Sequence, residues 1–109
     1  MERLTSRFWV DAYLTQLRIE GIPVFVVAHG DDTAGSVLVK VNALDGRAAV
    51  YQRSYQLMSD AQAWVTLAEG DEAEVDAAIA RQRSFDPDLW VLEVEDRQGR
   101  HLLDRPGLA

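Results

Sequence analysis

Two imidazoles, one acidic pair and one basic turn are the side chains best able to do chemistry. Asp86 and Asp88 flank Pro87. Paired carboxylates share acid–base work when their surroundings push their proton affinities apart. Asp-Pro-Asp between a helix and a strand is equally ordinary turn chemistry. Arg97, Arg100, His101 and Arg105 form a basic group in an acidic chain. If Arg97, Arg100 and His101 point together, they suit a small anion or an acidic partner. The competing account is cross-strand pairing, with a bulged turn over 96–99 setting Asp96 opposite Arg100 and Glu95 opposite His101.

His29 stands beside Asp31, but neither His29 nor His101 has a second histidine at helical spacing, and cysteine is absent. No metal site and no cofactor are expected. Gly30 to Ser36 has the glycine spacing of a phosphate-binding loop without its lysine. Asp31 and Asp32 would repel phosphate there, and a strand follows where a helix N-terminus is needed. A solvent-exposed hairpin loop is the expectation. The sequence also lacks a Gly-x-Ser-x-Gly elbow and a cysteine nucleophile, so the balance falls against an enzyme. An enzyme would need Asp86, Asp88 or His101 gathered in one concave pocket.

These residues must be positioned by a framework whose centre is Gly35 to Gln52. Val37, Val39 and Val41 alternate with Ser36, Lys40 and Asn42, as a half-buried strand requires, with Leu38 as the exception. Asp45-Gly46 could form a two-residue turn, or Ala43–Gly46 a type I turn followed by a left-handed Gly46. The second register sets Val39 opposite Tyr51 and Val41 opposite Ala49, keeping apolar side chains on one face, and is preferred. Val24 to Ala28 is almost wholly apolar and reads as a central strand paired with Val37–Val41. Ser54 to Ala63 reads as an irregular connection. Trp64–Leu67 reads as a short strand, with a brief helix capped by Asp60 as the alternative.

Thr5 or Ser6 caps a first helix that runs to about Gly21. Its apolar stripe is wide, which leaves two-sided burial or a partner surface carrying Trp9 and Tyr13. Asp71 and Glu74 mark the start of a second helix, with Val75, Ala78, Ile79 and Phe85 on its buried side. Pro87 ends it near Ser84. Leu89 to Glu95 is a strand, and Asp104 to Ala109 reads as a frayed tail.

At 109 residues with 48% apolar content the chain suits one domain, residues 1–109. Charged residues spread through Met1–Gly21 argue against a signal peptide or a membrane span, so a soluble cytoplasmic protein is expected. The net charge of −7 argues against nucleic acid as a partner. What composition leaves open is a protein partner, including a second copy of the chain.

Phe8-Trp9-Val10-Asp11-Ala12-Tyr13-Leu14, Val39 through Gly46, Phe85-Asp86-Pro87-Asp88-Leu89-Trp90 and Glu95-Asp96-Arg97 with Gly99-Arg100-His101 stand together in one chain. In that combination the chain resembles the small bacterial domain-of-unknown-function family 1491. The resemblance implies a free-standing bacterial domain and transfers no catalytic residue, cofactor or partner. The expected architecture is α+β: one antiparallel sheet of four to six strands, sequential strands adjacent, and both helices packed mainly on one face. The function expected with it is a non-catalytic interaction module that self-associates. The rivals are a small enzyme or an anion-binding protein using the Asp86/Asp88 and Arg97/Arg100/His101 region.

Overall fold

Thr5 opens the first helix as its N-cap, where its hydroxyl accepts a hydrogen bond from the Phe8 N–H at 3.1 Å. Gly21 closes it in a left-handed conformation, φ 74°, with Gly21 and Ile22 donating to the Arg18 and Leu17 carbonyls. The computed structural model describes residues 4–56 and 61–108. Among these the order is α1 (Ser6–Ile19), β1 (Val24–Ala28), β2 (Val37–Asn42), β3 (Arg47–Gln56), β4 (Ala61–Asp71), α2 (Glu72–Phe85) and β5 (Trp90–Glu95).

The strands form one sheet in the order β1-β5-β2-β3-β4. The α+β class and the strand number are as expected. All neighbours are antiparallel except β2 and β5, which run parallel. The expected pairing of β1 with β2 does not occur, because β5 lies between them. The segment after β1 is therefore a crossover rather than a hairpin loop. It passes over the start of β5, where Asp31 N–H donates to the Asp88 carbonyl at 2.9 Å and Trp90 N–H to the Ser36 carbonyl at 2.8 Å. A Cβ at Gly30 would overlap the Asp88 carbonyl and the Trp90 backbone, so glycine is needed there for closeness of approach.

The central hairpin has the preferred register, Val39↔Tyr51 and Val41↔Ala49, with Gly46 at φ 89°. Leu44 is also left-handed, φ 64°, which rules out a type I turn. The Asn42 side-chain oxygen accepts from Leu44 N–H at 2.8 Å and holds that conformation. The strands beyond it are longer than expected. β3 continues to Gln56 and β4 begins at Ala61, in register Gln56↔Ala61, so Trp64–Leu67 is strand as read, whereas the stretch read as an irregular connection, Ser54–Ala63, is strand at both its ends. Asp60 lies outside the described residues.

The helices do not share a face. Val39, Val41, Trp90, Leu92 and Val94 pack with α1, while Leu38, Val50 and Val91 pack with Val75 and Ile79 of α2. Alternate residues of a strand point to opposite faces, so the odd placement of Leu38 reflects a sheet covered on both sides. Asp71 takes the N-cap position of α2 without a side-chain cap bond; instead the Glu72 N–H donates to the Gly46 carbonyl at 2.9 Å. Phe85, expected on the buried side, ends the helix 82% exposed.

The stretch read as a frayed tail is docked. Leu103 and Leu108 are buried in the α1 core, and Arg105 pairs with Glu20 at 3.3 Å. The Trp9 and Trp64 indole N–H groups both donate to the Leu108 carbonyl, at 3.2 and 3.1 Å.

Candidate interaction surface

Strand β5 separates the residues that sequence reasoning grouped together. Asp86 and Asp88 precede it, and Arg97, Arg100 and His101 follow it. Its six residues, at about 3.3 Å each, put roughly 20 Å between the two groups. Asp86 accepts from Asp88 N–H at 3.0 Å, a local turn in which the Asp86 carboxylate serves backbone geometry.

At the other end Asp96 accepts from the Arg100 backbone N–H at 2.7 Å and from its guanidinium at 2.9 and 3.2 Å. Those bonds hold the Asp96 carboxyl below its ordinary pKa and raise that of Arg100. The Asp96–Arg100 half of the expected cross-strand account is present, but among the described residues no strand follows the turn. His101 turns away from Glu95 and packs on Tyr51, ring centroids 4.8 Å apart. Its Nδ1 accepts from Leu103 N–H at 3.0 Å, and burial lowers its pKa. Arg97 and Arg100 are both exposed, but Arg100 is tied to Asp96 and His101 is turned onto Tyr51, so the three do not converge on one anion site.

Trp9 and Tyr13 are interior residues, and a partner cannot reach them. They stack at 4.9 Å, and the Tyr13 hydroxyl donates to the His101 carbonyl at 2.7 Å. Burial raises the Tyr13 pKa. The sheet beneath α1 and Leu103 and Leu108 beside it cover Trp9, Val10, Tyr13, Leu14 and Leu17, while Phe8 and Ile19 at the rim of the stripe stay exposed. The Arg53 guanidinium lies over the Trp9 and Trp64 rings at 5.1 and 5.0 Å.

On the α2 face sits a charged cluster that the alternation of β2 did not reveal. Lys40 is only 4% exposed. Its ammonium lies 2.7 Å from Glu72, 2.8 Å from Asp76 and 3.4 Å from Glu93. Asn42 bridges Glu72 and Glu93 at 3.1 and 3.2 Å. Burial alone would lower the Lys40 pKa, but hydrogen bonds to Asp76 and Glu72 outweigh it and the net shift is upward. The ammonium fills the space between the carboxylates as a structural tie.

The feature that sequence reasoning placed furthest from its true position is β1. Its apolar run forms a sheet edge, with Phe25 53%, Val26 44% and Val27 54% exposed. Glu95 N–H donates to the Pro23 carbonyl at 3.0 Å, so Pro23 and Phe25 direct their backbone groups toward β5. Val24 and Val26 then direct theirs outward. Val27 is the extra residue of a bulge between Val26 and Ala28. Past the bulge, an open groove of about 460 Å³ begins at Ala28 and His29 and runs between Leu89 and the end of α2 at Arg83 and Ser84. His29 is held there against Trp90, centroids 4.1 Å apart, and Nε2 lies 2.7 Å from Asp32, which lowers the Asp32 pKa.

Among solved structures, a crystal structure of a DUF1491 family protein from Caulobacter crescentus CB15 is 34% identical. The match covers 95% of this chain and 98% of that one, with a TM-score of 0.85. The NMR structure of a DUF1491 family protein from the same organism is 33% identical over 97% of each chain, TM-score 0.82. Protein Atu0922 from A. tumefaciens is 30% identical over 86% of each, TM-score 0.72. Comparison with curated proteins finds no match. The family model for DUF1491, described as a protein of unknown function, matches residues 4–104, and the chain belongs to that family.

Proposed function

We propose that this chain is a non-catalytic protein-interaction module and that its docking edge is β1. The carrying observation is an edge strand with three consecutive exposed apolar side chains and outward backbone groups. Native sheets usually blunt such an edge with charge, above all with lysine. A partner segment adding as a further strand would gain main-chain hydrogen bonds from Val24 and Val26 and side-chain contacts from Phe25 and Val27. The groove beyond Ala28 continues that edge and accommodates the end of an added segment. The separation of Asp86/Asp88 from His101 along β5 favours this reading over a catalytic one. With a net charge of −7, nucleic acid is not the partner we infer. No helix among the described residues is long and apolar enough to cross a membrane. A bacterial cytoplasmic setting is part of the proposal.

The test is selection of extended peptides from a displayed library on the full chain, repeated with Phe25→Lys/Val27→Lys. Enriched peptides should bind the double variant at least about tenfold more weakly, a loss of about 1.4 kcal/mol. Its melting temperature should stay close to that of the parent, because both side chains are already half in water. Peptides whose binding survives the two lysines would overturn β1 as the docking edge.

A further inference from the structure

Resting on that reading, we propose that the segment seated on β1 is β1 of a second copy, antiparallel, with the twofold axis passing through Phe25. Backbone direction supports this register. In β5, Trp90 and Asp96 donate toward the β2 side, to the Ser36 and Asn42 carbonyls, while Glu95 donates to Pro23. Residues 91, 93 and 95 therefore face β1, and opposite them Pro23 and Phe25 are used up. Val24 and Val26 are the outward residues. A strand whose outward positions are 24 and 26 matches an inverted copy of itself when 24 meets 26, 25 meets 25 and 26 meets 24. Both outward residues are then paired in both copies, as an isologous contact requires. Pro23, the residue type that most often spoils an edge, removes no outward donor, because its nitrogen lies on the β5 side.

Charge leaves this edge open to the same occupant. Ile22-Pro23-Val24-Phe25-Val26-Val27-Ala28 carries no ionisable side chain within a chain of net charge −7. A basic partner would be drawn to the acidic surface, whereas a copy of this acidic chain is tolerated only where charge is missing. The opposite edge differs, since β4 exposes Thr66 and Glu69. In the paired state the two Phe25 rings stand directly opposite at a position without hydrogen bonds, where Cα atoms come within about 4.5 Å. The contact is a narrow one, below the roughly 1,200 Å² of standard interfaces, so the dimer is weak and its association depends on concentration. Salt should strengthen it by screening repulsion between the acidic bodies.

The absence of cysteine makes the register directly readable. A Cα separation of about 4.5 Å lies within disulfide range. Phe25→Cys, Val27→Cys and Phe8→Cys are each oxidised at equal protein concentration, after circular dichroism has verified folding. Phe25→Cys should form a covalent dimer at least about tenfold faster than the other two, since position 27 would face Pro23 of the second copy and Phe8 lies on the outer side of α1. Sedimentation of the parent chain should show a monomer–dimer equilibrium that shifts toward dimer with added salt. Equal rates at positions 25 and 27 would overturn the twofold register. A parent chain that stays monomeric to millimolar concentration would overturn self-pairing. In that case, peptide capture that still depends on Phe25 and Val27 would leave β1 as the docking edge for a different chain.

Discussion

Lys40 shows how much a single buried charge depends on its surroundings. Replacing it with methionine keeps the stem but leaves Glu72, Asp76 and Glu93 facing one another. Removing one partner of a fully buried pair costs about 3–5 kcal/mol; here about 2–3 is expected, because Asp76 and Glu72 are partly hydrated. A urea titration of Lys40→Met at neutral pH reads this directly. The pH dependence has a definite sign. The folded pKa of Lys40 lies above its unfolded value, so its contribution is complete below about pH 10.4 and is lost as pH rises through the folded value. The gap between parent and Lys40→Met should therefore narrow in alkali and stay constant from neutral pH to about 9. In the sequence, Lys40 was legible as pointing away from Val39 and Val41, and it does. Its burial was not legible, because alternation reports which way a side chain points and says nothing of the helix that later covers that face.

At the scale of elements, two glycines do different work. Gly46 needs a positive φ and has open space around it, so Gly46→Val adds only backbone strain, about 1–3 kcal/mol. Gly30 needs no special angle but has no room, because the crossover presses on Asp88 and Trp90. Gly30→Ala should therefore match or exceed that cost although it adds one methyl group, and it should weaken the seating of β1's end against β5. Thermal melts of the two variants, with near-ultraviolet circular dichroism of Trp90, check both effects. Gly46 was legible because its turn is local and its register keeps Val39 beside Tyr51. Gly30 was not, since the strand it touches begins 60 residues later. The same cause misplaced Val24–Ala28: an apolar run tells what a strand can bury, and only its ladder neighbours decide what it does bury.

Across the whole molecule, the last residues tie the two ends of the chain together. Ending the chain after Arg105 removes Leu108, whose carbonyl accepts from Trp9 and Trp64. Two indole donors lose their acceptor and an apolar side chain leaves the core, so a loss of about 3–5 kcal/mol is expected. Tryptophan fluorescence during denaturation would measure it, and an unchanged midpoint would contradict the docking of this segment. The α+β class, both helices and a part of each of the five strands were legible from local pattern, although β3 and β4 run further than that pattern showed. The parallel β2–β5 pair was not, nor was the division of helices between faces, since both follow from the single insertion of β5 into the sheet.

That insertion has a consequence for how the chain is made. Val24 pairs with Val94, 70 residues downstream. At about 5–20 residues per second, a ribosome takes roughly 4–14 s to supply the partner of a strand it has already released. During that interval the β2–β3–β4 meander can assemble from neighbouring segments, while Val24–Ala28 waits with both edges unsatisfied. The nascent chain thus presents its most apolar strand first and shelters it last, so this stretch is the one that synthesis leaves in water longest.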